Sequence, residues 1–314
     1  MNKSDKIYVA GHGGLAGRAI CDKLREKGYQ NLSVKTRGQL DLTRQREVER
    51  FFEEEKPDCV FLCAAKVGGI HANSTYPADF IAENLQIQNN VITQAFQHQV
   101  KRLVFLGSSC IYPKLCPQPI REEYLLSGPL EPTNEAYAVA KIAGIKTCEA
   151  YNRQHDTRYL SVMPTNLYGP NDNFELENSH VLPALIRKFH EARLEGKPEV
   201  IVWGTGKPKR EFLHVEDMAD ACVFLMEKMD CQDLINIGSG KDITIKDLSI
   251  LIGEVTGFKG KIVFDTTKPD GTPQKLLDVS KINLLGWKAK IGLKEGIERT
   301  YKWYQDSSAG NIRR

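Results

Sequence analysis

Apolar residues along this chain fall into two patterns. Short runs dominated by them occur at Ile7-Tyr8-Val9-Ala10, Leu32-Ser33-Val34, Cys59-Val60-Phe61-Leu62-Cys63-Ala64, Leu103-Val104-Phe105-Leu106 and from Tyr159 to Met163. Such runs are expected of strands buried on both faces of a parallel sheet. Between them the apolar residues recur with a helical period. Leu15, Ala19, Ile20 and Leu24 mark a helix over 15–27 that Gly28 stops, and the amphipathic segment 44–55 halts before Pro57. Segment 77–99 places Phe80, Leu85, Val91, Ile92 and Phe96 on one side, and a further helix carries Tyr137 and runs to about His155.

Past Pro170 the texture changes. A polar loop precedes a helix over 181–194, a strand over 199–203, and a cluster of Gly, Lys and Pro through 204–208 that predicts a loop over a ligand. Residues 212–214 and 215–229 read as one more strand and helix returning to the first lobe. The expected fold is α/β, a Rossmann-type doubly wound parallel sheet with a smaller C-terminal α+β part. The expected division is 1–168, with a return segment at about 209–236, and 169–314.

Composition narrows the function classes. Lys and Arg total 43 against 40 acidic residues in 314, a net charge of +3, and the charges are dispersed. That balance gives no case for a nucleic-acid or anionic-membrane surface. Arg313-Arg314 reads as a solvated end. The N-terminal residues lack the apolar core of a signal peptide, and no apolar run approaches a membrane span. Eight cysteines show no metal-type pairing, and several lie in apolar runs. Buried reduced thiols and a cytoplasmic location are expected, with no metal site.

Gly11-His12-Gly13-Gly14-Leu15-Ala16-Gly17 follows the first strand and opens the first helix. Glycines Gly11, Gly14 and Gly17 permit a tight turn that offers backbone amides to a pyrophosphate. After the second strand the chain reads Lys35-Thr36-Arg37 rather than an acidic residue, so Arg37 is placed to pair with a 2′-phosphate and NADP(H) is the expected cofactor. Ser108, in Gly107-Ser108-Ser109-Cys110-Ile111-Tyr112, lies at the carboxyl end of the fourth strand, where open α/β sheets bind ligands. Tyr137 and Lys141 stand one helical turn apart. A neighbouring ammonium is expected to lower the phenol's pKa and make it a better proton donor and acceptor. Taken alone the pair is also compatible with an ordinary helix face.

The serine, the Tyr-xxx-Lys pair and the glycine turn together resemble the extended short-chain dehydrogenase/reductase family. The resemblance implies a Ser108-Tyr137-Lys141 triad, with Lys141 also holding the nicotinamide ribose. Longer stretches are similar to the branch that converts GDP-4-keto-6-deoxy-D-mannose to GDP-L-fucose by epimerising C3 and C5 and reducing C4 with NADPH. They are Cys63-Ala64-Ala65-Lys66-Val67-Gly68-Gly69-Ile70, Gly107 to Pro113, Met163-Pro164-Thr165-Asn166-Leu167-Tyr168-Gly169-Pro170, Ser179 to Leu185, and Arg210 to Val215. The resemblance assigns Cys110 as base and His180 as acid for the two inversions. Without it, Cys110 reads as a buried thiol and His180 as a structural or surface histidine.

The same resemblance implies cofactor contacts from Leu15, Asp41, Ala64, Leu106, Pro164, Asn166, Leu167 and His180. It implies contacts to the GDP end of the substrate from Lys188, Trp203, Arg210 and Asp270. Read without it, these four are a solvated helix residue, a core residue, a surface ion pair and a turn former. It also implies a homodimer paired through two helices per subunit, here 77–99 and the Tyr137 helix. Many members of the branch carry arginine where this chain has Gly13, so more of the 2′-phosphate contact falls to Arg37. Related dehydratases place an acidic pair at Ser109-Cys110, which argues against that reaction. The competing readings are a redox-neutral nucleotide-sugar 4-epimerase and a non-catalytic dinucleotide sensor on the same fold.

Overall fold

Four consecutive fully buried residues form the first strand, β1 (Ile7–Ala10), and four more form β3 (Cys59–Leu62). With no face exposed to water, such strands are stable only inside a sheet covered on both sides. The computed structural model describes residues 1–176, 179–228, 234–268 and 270–308. In chain order its first half runs β1, α1 (Leu15–Glu26), β2 (Leu32–Ser33), α2 (Gln45–Glu55), β3, α3 (Ile70–Thr75), α4 (Pro77–Gln97), β4 (Arg102–Leu106), α5 (Glu135–His155), β5 (Tyr159–Pro164) and β6 (Asn166–Tyr168). The second half runs α6 (Val181–Leu194), β7 (Glu199–Trp203), β8 (Lys209–His214), α7 (Val215–Lys228), β9 (Ile235–Ile237), β10 (Asp242–Thr244), α8 (Ile245–Thr256), β11 (Lys261–Asp265), β12 (Gln274–Lys275), α9 (Ser280–Leu284) and α10 (Leu293–Ser308).

The main sheet has six parallel strands in the order β2-β1-β3-β4-β5-β9. The expected doubly wound sheet is therefore present. One face packs against α1 and α7 through Ile20, Leu24, Met218 and Cys222, and the other against α2, α4 and α5 through Phe52, Val91, Ile92 and Ile145. Gly144 lets α5 approach closely: a Cβ there would stand 2.8 Å from Gln88 Oε1 and 2.5 Å from the Phe105 ring. Gln88 Nε2 then donates to Ala140 O at 2.7 Å, tying α4 to α5.

A second sheet, β10-β8-β12 with β6 pairing β8, and a two-stranded pair of β11 with β7 make up the rest. Their core joins Tyr168, Leu185, Phe189, Phe212, Leu248 and Tyr301. The segment expected to return to the first lobe divides between the two. Strand β8 joins the second sheet, while α7 packs on α1 and β9 supplies the sixth strand of the first. Among the described residues no helix is long and apolar enough to cross a membrane. Seven cysteines in these residues are free, and five of them are buried. Cys231 and Arg313-Arg314 lie outside the described residues.

Candidate active site

The crossovers bring four loops to the carboxyl edge of the main sheet. In the first, Gly11 adopts φ +86°, and a Cβ there would meet Ala64 N at 2.7 Å, so only glycine permits the close approach of the β1 and β3 ends. Gly14 N donates to Gly11 O at 3.0 Å, and Gly14 opens α1 without a side-chain cap. The first amides of α1 thus remain available to an anion. Beside them His12 Nδ1 is buried with no hydrogen-bond partner. This cradle fits a dinucleotide pyrophosphate. Sequence reasoning gave His12 no role, because only the folded loop reveals its orphaned nitrogen.

Arg37 projects from the end of β2, three-quarters exposed, and pairs with Glu83 of α4 at 3.5 Å. Glu83 also binds Lys66 Nζ at 2.5 Å. A carboxylate thus already pairs with the Arg37 guanidinium. Asp41 directs its carboxylate to Thr43 N at 3.0 Å and to the Thr43 hydroxyl at 2.8 Å, bonds that hold it below the usual carboxylate range. Those bonds make it a turn former here.

The second loop follows β4. Ser108 caps the short turn Ser109–Ile111, its Oγ accepting from Cys110 N at 3.4 Å. Lys141 Nζ donates to Leu106 O at 2.7 Å and lies 5.8 Å from the centre of the Tyr137 ring. Burial lowers its pKa to about 8, against the smaller opposing effects of Cys110 and Cys63. Tyr137 departs from the sequence expectation. Burial raises its phenol well above the ordinary value, the charge of an ionised Cys110 adds to this, and only a hydrogen bond with Ser108 opposes it. The Lys141 ammonium is spent on a carbonyl, so it does not reverse the sign. A phenol so placed holds its proton until a strongly basic oxygen appears beside it.

Cys110 is buried, and burial raises its pKa. Lys275, the Ser108 hydroxyl and Lys141 pull it back, in that order. His180 heads α6 and is exposed on the surface of the chain. Desolvation by the surrounding protein, and then the charge of Lys275, lower its pKa, so the imidazole is neutral at pH 7. Three features matter here: a thiol that burial keeps protonated, an imidazole that desolvation keeps neutral, and a lysine whose charge acts on both.

Asn166, the first residue of β6, donates from Nδ2 to Glu211 O at 2.8 Å, which fastens β6 to β8. Farther out, Trp203 is 63% exposed, so it is not a core residue. Lys188 and Lys268 place their Nζ atoms 5.2 and 5.5 Å from its ring centre. Arg210 is anchored by Nη1 to Thr272 O at 2.6 Å and Lys209 O at 2.7 Å, leaving its other nitrogens for an anion. Asp270 accepts from Thr205 N at 2.8 Å and the Thr205 hydroxyl at 2.6 Å, fixing the turn at Gly204 rather than presenting a free carboxylate. Lys275 and Lys268 escaped the sequence reading because neither sits in a motif or a periodic segment.

A glycine-turn dinucleotide cradle beside a Ser, Tyr and Lys cluster at the end of a parallel sheet is the arrangement of a nicotinamide-dependent oxidoreductase. The chain belongs to the NAD dependent epimerase/dehydratase family, whose profile matches residues 7–238. It is 63% identical over 303 residues to GDP-L-fucose synthase 1 of Arabidopsis thaliana, covering 96% of this chain and 94% of that one. A GDP-6-OMe-4-keto-L-xylo-heptose reductase from C. jejuni superposes with a TM-score of 0.93 at 42% identity, covering 98% of this chain and 99% of that one. A GDP-L-fucose synthetase from Naegleria fowleri bound to NADP superposes at 0.89 with 28% identity, covering 99% and 97%.

Proposed function

We propose that this chain converts GDP-4-keto-6-deoxy-D-mannose to GDP-L-fucose, inverting C3 and C5 and reducing C4, with NADPH as cofactor. The observation that supports the reading is a buried Cys110 beside Ser108, Tyr137 and Lys141, in a chain closely similar to GDP-L-fucose synthases. A redox-neutral 4-epimerase needs neither the thiol nor the imidazole.

Protons on C3 and C5 flank the C4 ketone, so removing either gives an enolate at the C4 oxygen. The Ser108 hydroxyl and the Tyr137 phenol donate hydrogen bonds to that oxygen and stabilise its charge. Cys110, as thiolate, takes the proton from one face and His180, as imidazolium, returns one to the other. The neutral imidazole and the protonated thiol hold one proton between them, and moving it from sulfur to nitrogen creates the reactive pair. Bound NADPH supplies the hydride that C4 receives. Tyr137, whose raised pKa keeps its proton in place, then gives that proton to the C4 alkoxide. Lys141 aligns the cofactor ribose.

Gly11, Gly14, Leu15, Gly17 and Ala64 cradle the pyrophosphate, Arg37 meets the 2′-phosphate, and Leu106, Pro164, Asn166 and Leu167 line the nicotinamide end. The six-stranded layer therefore holds the cofactor, and the second sheet with the β7–β11 pair holds the GDP end through Lys188, Trp203, Arg210 and the turn that Asp270 fixes. The subunits pair through α4 and α5, where Val139 is exposed, and light scattering at micromolar concentration reads a dimeric mass on this reading. Free thiols suit the reducing cytoplasm. The functional test offers GDP-4-keto-6-deoxy-D-mannose with NADPH and follows the loss of NADPH absorbance. No oxidation by folded protein would overturn the proposal.

A further inference from the structure

Lys275 and Cys110 line the same cavity, together with Ser109, Gln118, Glu131 and Gln274. The lysine belongs to the two-residue strand β12, where it lies in register with Arg210 of β8. The backbone that follows is stitched to the segment beyond Cys110. Leu276 N donates to Gln118 Oε1 at 2.9 Å, Ile120 N to Leu276 O at 2.7 Å, and Asp278 N to Ile120 O at 2.8 Å. Leu277 N donates to the buried carboxylate of Glu211 at 2.9 Å. Four hydrogen bonds on the residues after Lys275 fix where its side chain leaves the strand.

The charges around it are one-sided. Among the described residues no carboxylate lies within ion-pair distance of Lys275, and Glu131, the acidic group that faces it, is already bound to Lys114 at 3.1 Å and to Thr133 N at 3.4 Å. Arg210, a like charge, faces it from β8, and the Cys110 and Cys116 thiols complete its surroundings. Cys110 in turn faces Lys275, Lys141, the Ser108 hydroxyl and the Tyr137 phenol, and among its cations Lys275 acts most strongly. A half-buried ammonium with no carboxylate partner is costly unless an anion forms beside it. The thiolate of Cys110 is such an anion.

We propose that Lys275 is a positioning residue for the inversions: its ammonium stabilises the thiolate of Cys110, which lines the same cavity. This rests on Cys110 and His180 being the proton-transfer pair. A nearby positive charge raises the fraction of Cys110 present as the thiolate, the form able to take a proton. Arg210, held by Nη1 on two backbone carbonyls, is not among the charges that act on Cys110.

The test measures iodoacetamide alkylation of Cys110 as a function of pH in NADP-saturated protein, read on the Cys110 peptide by mass spectrometry. In Lys275→Met the alkylation midpoint moves up by about one pH unit or more, as expected for loss of an adjacent opposite charge. Lys275→Arg restores it, and Lys275→Gln gives the same upward shift should Met disturb the strand. An unchanged midpoint in folded Lys275→Met or Lys275→Gln protein overturns the proposal, as does an Arg variant that shifts as far as Met. Solvent deuterium uptake at C3 and C5 of the keto sugar is followed in the same variants. A shifted midpoint with undiminished uptake upholds the role of Lys275 toward the thiolate and rejects Cys110 as the base, so the two readings fail separately.

Discussion

Lys141→Met should give a more stable and inactive protein, with a stability gain that depends on pH. The Lys141 ammonium is 3% exposed, and burial brings its pKa from the ordinary 10.5 to about 8. That difference corresponds to about 3 kcal/mol at 1.36 kcal/mol per pH unit. The unfolded chain keeps the lysine protonated up to about 10.5, the folded chain only to about 8. Between those values the unfolded state binds more protons, so this group makes stability rise with pH, and below about 8 it exerts its full destabilising effect. The substitution removes that effect but leaves the Leu106 carbonyl without its 2.7 Å donor, a loss of about 1 kcal/mol. The variant is then more stable by about 2 kcal/mol at pH 7, and the advantage disappears by about pH 10. Urea denaturation of both proteins, side by side from pH 7 to 10, reads the difference directly, because other titrating groups cancel. Parallel stability curves, or a variant weaker by the same amount at every pH, would refute the reasoning.

Three further outcomes follow from the geometry. Tyr137→Phe slows reduction by about 10²- to 10⁴-fold, the usual contribution of a positioned acid, while deuterium exchange at C3 and C5 falls less; equal loss of both would show that the phenol is indispensable to the inversions too. His214 is 1% exposed with Nε2 unpartnered, and burial lowers its pKa to about 4. Its neutral form therefore contributes stability above pH 6.5 that is lost as pH falls toward 4, about 3 kcal/mol in all, and His214→Gln flattens this acid limb in a urea titration. Glu83→Gln releases Arg37 and lowers the KM for NADPH by up to about fivefold, as expected for a surface ion pair, with the KM for NADH unchanged; an equal change for both cofactors argues against Arg37 as the 2′-phosphate contact.

The main sheet was legible because burial on both faces leaves its mark as unbroken apolar runs, and the glycine turn because Gly11 has no substitute at φ +86°. Strand β8 was less so. It was expected over 212–214, yet it begins at Lys209, since Lys209, Arg210 and Glu211 are polar residues paired with β10 and β12 from far along the chain. Glu211, fully buried, accepts from Gly240 N at 2.7 Å and Leu277 N at 2.9 Å, a role that no local pattern announces. Electrostatics was the least legible. The Tyr137 and Lys141 spacing suggested a lowered phenol pKa, but burial of the ring and diversion of the ammonium to Leu106 give the opposite sign. Arg37 was read as free for a phosphate, and its Glu83 partner stands on a different element. Lys275 carries no motif at all, and only the packing of β12 beside the Cys110 turn brings it into the site.

The central claim is that one site performs two inversions and one reduction. Its most direct test is the product formed from GDP-4-keto-6-deoxy-D-mannose and NADPH in deuterium oxide, analysed by NMR. This account predicts GDP-L-fucose carrying solvent deuterium at both C3 and C5. A product reduced at C4 that retains hydrogen and the original configuration at both carbons would contradict it, and would make the chain a plain 4-reductase.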